Sequence, residues 1–137
     1  MADTITRVDY YYIETPNTPG AAAKALSTLK DAGINLLAFT GFPKGQRAQL
    51  DFIPADAVAF VKAAKRAGWK LSAKKSGFLI QGDDRPGALA DILGKLSDAK
   101  INVTAVDAVC AGLNRYGAIL WVKPPDLKRA AKALGIP

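Results

Sequence analysis

The residues best equipped for chemistry in this chain stand in two matching loops, Thr15-Pro16-Asn17-Thr18-Pro19-Gly20 and Gly82-Asp83-Asp84-Arg85-Pro86-Gly87. In each, a carboxamide or carboxylate precedes Pro-Gly by two positions, and an amphipathic stretch follows. A helix starting there presents unpaired backbone N–H groups and a partial positive charge, which suits an anion such as a carboxylate. Gly20 and Gly87 have no side chain, so a ligand can approach the backbone closely. The same residues also make a plain helix start, with Pro in the first turn and Asp83 or Asp84 as its cap.

What is missing narrows the chemistry. The 137 residues include no histidine and a single cysteine, Cys110. Imidazole acid–base catalysis, Ser-His and Cys-His nucleophile pairs and His metal sites are all excluded, and so is a thiolate zinc site. No cofactor, no metal and no enzymatic activity are expected. A lone thiol makes no internal disulfide, which fits a reducing compartment, and Cys110 reads as a small apolar filler. No apolar run nears the roughly 20 residues needed to span a bilayer. The opening MADTITRVDYYYIET has no uninterrupted apolar core, so it is no secretory signal and a cytoplasmic protein is expected.

A net charge of +7 raises the question of nucleic acid. The positive residues gather at Lys62, Lys65, Arg66, Lys70, Lys74 and Lys75, and again at Lys123, Lys128, Arg129 and Lys132. They fall on or beside stretches whose other face is Ala, Val and Leu. A solvated helix face accounts for them.

The elements that position the two loops are written twice. Pro19 to Gly41 returns 67 positions later as Pro86 to Ala108, with 11 of 23 positions identical. Such a repeat is a copied supersecondary unit. Residues 6–14, β-branched and aromatic, predict a strand. A helix follows, with Thr18 as N-cap and Pro19 first, burying Ala22, Ala25, Leu26, Leu29 and Ala32. The second copy keeps that phase with Leu89, Ile92, Leu93, Leu96 and Ala99. Strands are predicted over 35–40 and 48–53 around a Gly41–Gly45 turn, then a helix over 57–67 capped by Asp56, then a short strand over 69–73.

Copy two repeats the order, with strands 78–81, 102–109 and 117–123 and a helix over 126–134. Pro54 matches Pro124 at an offset of 70, not 67, which predicts a second hairpin loop three residues longer. The chain has no room for a final strand after Gly135. The expected fold class is therefore α+β: two ferredoxin-like βαββαβ repeats, 1–74 and 75–137, with antiparallel sheets and helices on one face, the second repeat lacking a full final strand. That missing strand exposes an edge for a partner subunit to fill. Aromatic residues on strands of copy one point to a sheet face that meets another surface.

Gly82-Asp83-Asp84-Arg85-Pro86-Gly87-Ala88-Leu89, a helix and then Ile101-Asn102-Val103 resemble the ACT domain, a small βαββαβ regulatory module that binds amino acids. The resemblance covers nearly the whole chain as two tandem copies, with a looser Asn17-Thr18-Pro19-Gly20 in the first. It implies that Asn17 and Asp84 contact a bound amino acid, the Asp pairing with its ammonium and the Asn hydrogen-bonding it. It implies further contacts from Thr15, Thr18, Pro19 and Gly20, and from Asp83, Arg85, Pro86, Gly87 and Ala88. Asn35 and Leu36, with Asn102 and Val103, match positions usually reached from a neighbouring domain, so the pocket is expected between domains.

The expected function is a stand-alone, non-catalytic amino-acid-binding regulator, a homo-oligomer (dimer or tetramer) that acts on a separate protein. The alternative is an RNA- or DNA-binding module on the same βαββαβ topology. Against it, no stretch matches K/R-G-F/Y-G/A-F-V-x-F/Y, and Asp51 stands on the third strand where a stacking aromatic belongs. An acylphosphatase-like enzyme on this fold lacks its phosphate-cradling loop.

Overall fold

The computed structural model describes residues 3–137. Its elements run β1 (Thr4–Pro16), α1 (Ala21–Asp31), β2 (Leu36–Lys44), β3 (Arg47–Pro54), α2 (Ala57–Arg66), β4 (Lys75–Asp83), α3 (Ala88–Asp98), β5 (Val103–Gly112), β6 (Arg115–Val122), a 3-10 turn (Pro124–Asp126) and α4 (Leu127–Ala133). This is an α+β fold with the expected antiparallel strands. The chain divides into a continuous unit, Asp9–Lys75, and a split unit, in which the residues up to Val8 join Ser76–Pro137.

In the continuous unit the strand order is β2-β3-β1, with antiparallel pairs. Alternation sends Tyr11, Ile13, Leu50 and Phe52 to the helices, where they bury with Ala25 and Leu29 of α1 and Phe60 and Ala63 of α2. Phe52 stacks on Trp69 with ring centres 5.5 Å apart, and Phe60 meets it edge-on at 6.4 Å. Asp56 caps α2 as expected, its carboxylate accepting the Ala59 N–H at 3.1 Å. The stretch 69–73 forms no regular strand, but Ser72 is tied to Tyr12 in both directions, at 2.9 Å each.

The split unit has its own core: Phe78 and Ile80 of β4, Ile92 and Leu96 of α3, Leu120 of β6, and Ala130 and Ala131 of α4. Arg129 joins its two helices, donating to the Asp126 carboxylate at 3.0 Å and to the Ala99 carbonyl at 2.9 Å. Among the described residues no strand follows α4, the last element. The place beside β4 does not stay open for a partner, however: Thr4–Val8 of β1 occupies it. The chain's own N-terminal strand completes the second repeat.

The hairpins correct the sequence expectation as well. Both have two-residue loops, Gly45-Gln46 and Leu113-Asn114. The shift in repeat spacing arises elsewhere. One extra residue sits in a β-bulge between Cys110 and Gly112, and the link from β6 to α4 (123–126, with its 3-10 turn) is two residues longer than the link from β3 to α2 (55–56), so Val122 and not Pro124 is the counterpart of Pro54. In the first hairpin β2 runs on through Pro43 to Lys44, which an edge strand tolerates.

Candidate ligand-binding site

The two Pro-Gly loops share one backbone design. The Ala21 N–H donates to the Thr18 carbonyl and the Ala88 N–H to the Arg85 carbonyl, both at 3.3 Å. Gly20 has φ 87° and ψ −10°, and Gly87 has φ 77° and ψ 11°. These are type II turns, with Pro second and a left-handed Gly third. Pro19 and Pro86 thus precede the helices instead of starting them, and neither Thr18 nor an Asp supplies a side-chain cap. The first helical bonds are Lys24 N–H to Gly20 and Asp91 N–H to Gly87. The N–H groups of Ala22 and Ala23, and of Leu89 and Ala90, come before them at the positive helix end.

In the split unit this turn borders a cavity of about 310 Å³ lined by Asp84, Arg85, Gly87–Ala90, Ala108–Cys110 and Tyr116. Asp84 is exposed at its mouth, and its N–H donates to the Asn114 carbonyl at 2.7 Å, so the hairpin tip holds the loop. Cys110 is exposed and no core filler; a hydrogen bond to Asp84 raises the thiol's pKa, which keeps it protonated. Asp83 turns the other way and accepts from Arg115 at 3.0 Å, a cross-strand pair that holds its carboxyl below the usual carboxylate range. The structure therefore brings Asp84, Arg85, Gly87 and Ala88 to one cavity, while Asp83 and Pro86 support the loop.

Asn102 is exposed at the foot of β5, and Val103 packs on the core; neither lines that cavity. In the continuous unit a cavity of about 320 Å³ lies along α1 and takes in Thr15, Pro16, Ala21, Lys24 and Trp69. Of the residues expected there only Thr15 lines it. Asn17, Thr18, Pro19 and Gly20 are exposed beyond its rim. Leu36 packs on the core, and the Asn35 carbonyl accepts the Ala55 N–H at 3.0 Å, a structural bond. A further cavity of about 460 Å³ borders Tyr12, Glu14, Arg47, Lys70, Leu71 and Ser72. Sequence reasoning gave no sign of it, because its residues are spread over three segments.

Among the described residues no group of three or more His, Cys, Asp or Glu is placed to hold a metal ion. No described helix is long and apolar enough to cross a membrane.

The chain was compared with known proteins. No curated protein matches it. Among solved structures it is similar to a protein of Bacteroides thetaiotaomicron, at 21% identity over 95% of this chain and 88% of that one, with a TM-score of 0.81. It is also similar to the regulatory subunit of aspartate kinase from Thermus thermophilus in its ligand-free form, at 18% identity, 96% and 93% coverage and a TM-score of 0.64. The corresponding subunit from Thermus flavus gives 19%, 97%, 93% and 0.61. At such identities the likeness is one of fold. The sequence match is to the ACT domain, over the stretch that contains the Arg85-Pro86-Gly87 turn, α3 and the strands around the cavity. Residues 78–135 match the family model of the ACT domain.

Proposed function

We propose that the chain is a non-catalytic regulatory protein that binds an amino acid, or a related small molecule with an ammonium and a carboxylate, at the β4–α3 loop. The observation that carries this reading is the cavity of about 310 Å³ that joins Asp84 to the start of α3. Asp84 supplies the negative partner for an ammonium, and the Leu89 and Ala90 N–H groups face a carboxylate. Two proteins of similar fold are regulatory subunits of aspartate kinase, which supports the same kind of task here. In this reading residues 1–74 and 75–137 are two repeats, and the Asn17–Gly20 loop is a second, weaker site, since its Asn carries no charge.

The protein would work as a cytoplasmic homo-oligomer, a second copy presenting the exposed Asn35 or Asn102 to the open side of a loop, with Leu36 and Val103 holding those residues in place from the core. Ligand would favour one packing arrangement and so change the affinity for a separate regulated protein. A thermal-shift screen against the twenty amino acids tests this. A ligand at 100 times its Kd stabilises the folded state by about 2.7 kcal/mol, a readily measured rise. No shift with any amino acid, together with tight oligonucleotide binding, would replace this reading with the nucleic-acid one.

A further inference from the structure

Asp3 stands just before β1 in the split unit, and its carboxylate is gripped from several sides. Arg85 reaches it with both terminal nitrogens, Nη1 to Oδ1 and Nη2 to Oδ2, each at 3.1 Å. This two-pronged match is the strong form of a carboxylate–guanidinium contact. Nη1 also donates to the Asp83 carbonyl at 3.0 Å, so the same side chain braces the β4–α3 loop.

Tyr116 supplies another wall. Its hydroxyl is buried, with no partner in conventional hydrogen-bond geometry among the described residues. It nonetheless lies close enough to Asp3 to help lower that carboxyl's pKa, after the larger effect of Arg85. Gly82 is the floor. A Cβ there would land on Asp3 Oδ1 and lie 2.9 Å from Cε1 of Tyr116, so only a residue without a side chain leaves room. The Asp3 side chain is 12% exposed in this setting. A surface ion pair needs neither a bare backbone nor a buried hydroxyl.

We propose that Arg85, Tyr116 and Gly82 form a carboxylate cradle which the chain fills with its own Asp3, latching Thr4–Val8 onto β4 and bracing the β4–α3 loop. Strand docking and loop order are then one equilibrium. When Asp3 leaves, the strand beside β4 is released and that edge of β4 opens. Arg85 then keeps its bond to the Asp83 carbonyl and has Asp91 at 3.9 Å, and the nitrogens released by Asp3 can take a carboxylate from solution in competition with Asp91. The latch is independent of which molecule occupies the adjacent cavity.

The test uses the full chain and two variants, Asp3→Ala and Gly82→Ala. The first removes the carboxylate, and the second pushes it out. Tryptic cleavage after Arg7, on the latched strand, should rise about 10- to 100-fold in both. Amide exchange should quicken over Thr4–Val8 and Gly82–Arg85, with α2 of the continuous unit unchanged. Sodium formate added to Asp3→Ala should restore protection at Gly82–Arg85 but not at Arg7, because formate is not tethered to the strand. Sodium chloride at matched ionic strength should restore neither. If folded Asp3→Ala keeps wild-type cleavage and exchange, there is no latch. If formate and chloride act alike, the cradle does not read carboxylates. Should Gly82→Ala fail to fold, Asp3→Ala carries both readouts alone.

Discussion

The Asp84 N–H donates to the Asn114 carbonyl at 2.7 Å, so the candidate ligand loop hangs from the tip of the β5–β6 hairpin. That tip is strained. Leu113 and Asn114 have φ 56° and 57°, the left-handed pair of a type I′ two-residue hairpin loop. Asn tolerates the conformation, but Leu does so at a cost of about 1–2 kcal/mol and is 95% exposed. Leu113→Gly should therefore stabilise the protein by about 1 kcal/mol in urea unfolding. Asn114→Val should destabilise it by at least as much and speed exchange at the Asp84 amide.

Gly87→Ala tests the turn itself. A Cβ there meets nothing within 4 Å, so the substitution creates no clash. Its cost is conformational, because φ is 77° and an L side chain in that region loses about 1–2 kcal/mol. A D-alanine at the same position should be tolerated. Equal stability of the L and D variants in chemically synthesised protein would mean the turn is not left-handed.

Asp51 gives a pH signature. It is buried on β3, and burial raises its pKa above the usual value, only partly offset by Gln49 at 2.9 Å and by Lys75 and Lys44. A raised pKa in the folded state means the stabilising contribution is complete below the unfolded value, about 3.9, and is lost as pH rises through the folded one. Asp51→Asn removes that loss. By calorimetry the variant should melt above wild type at pH 7 and close to it at pH 3. A lower melting point at pH 7 would show that the lysines outweigh burial.

Phe52→Ala should cost about 3–5 kcal/mol, as Phe52 is fully buried and touches the rings of Phe39, Phe60 and Trp69. Urea titration followed by Trp fluorescence reports it directly. A loss under 1 kcal/mol would mean that cluster is loosely packed.

The fold was legible because its signals are local and appear twice. The Leu26/Leu93 and Leu29/Leu96 stripes keep helix phase in both copies, and Asp56 caps the helix that it precedes. What escaped depends on contacts distant in sequence. The strand beside β4 comes from Thr4–Val8, some seventy positions away, and no local pattern marks it. The bulge near Cys110 is invisible to an offset count, which places the extra residues in the loop instead. At the site, Pro-Gly signalled a helix start, but the turn type follows from the φ of Gly20 and Gly87. The roles of Cys110, Asn114 and Asp3 follow from tertiary neighbours alone.

Calorimetric titration of wild type and Asp84→Ala with the amino acid that gives the largest thermal shift tests the central claim most directly. Asp84 lies exposed at the cavity mouth and caps no helix, so the variant should fold and melt normally. A charge-assisted contact is worth roughly 1.5–3 kcal/mol, so wild type should bind saturably and the variant about 10- to 150-fold more weakly. Equal affinity in the two folded proteins would contradict the account and remove the β4–α3 loop as the binding site.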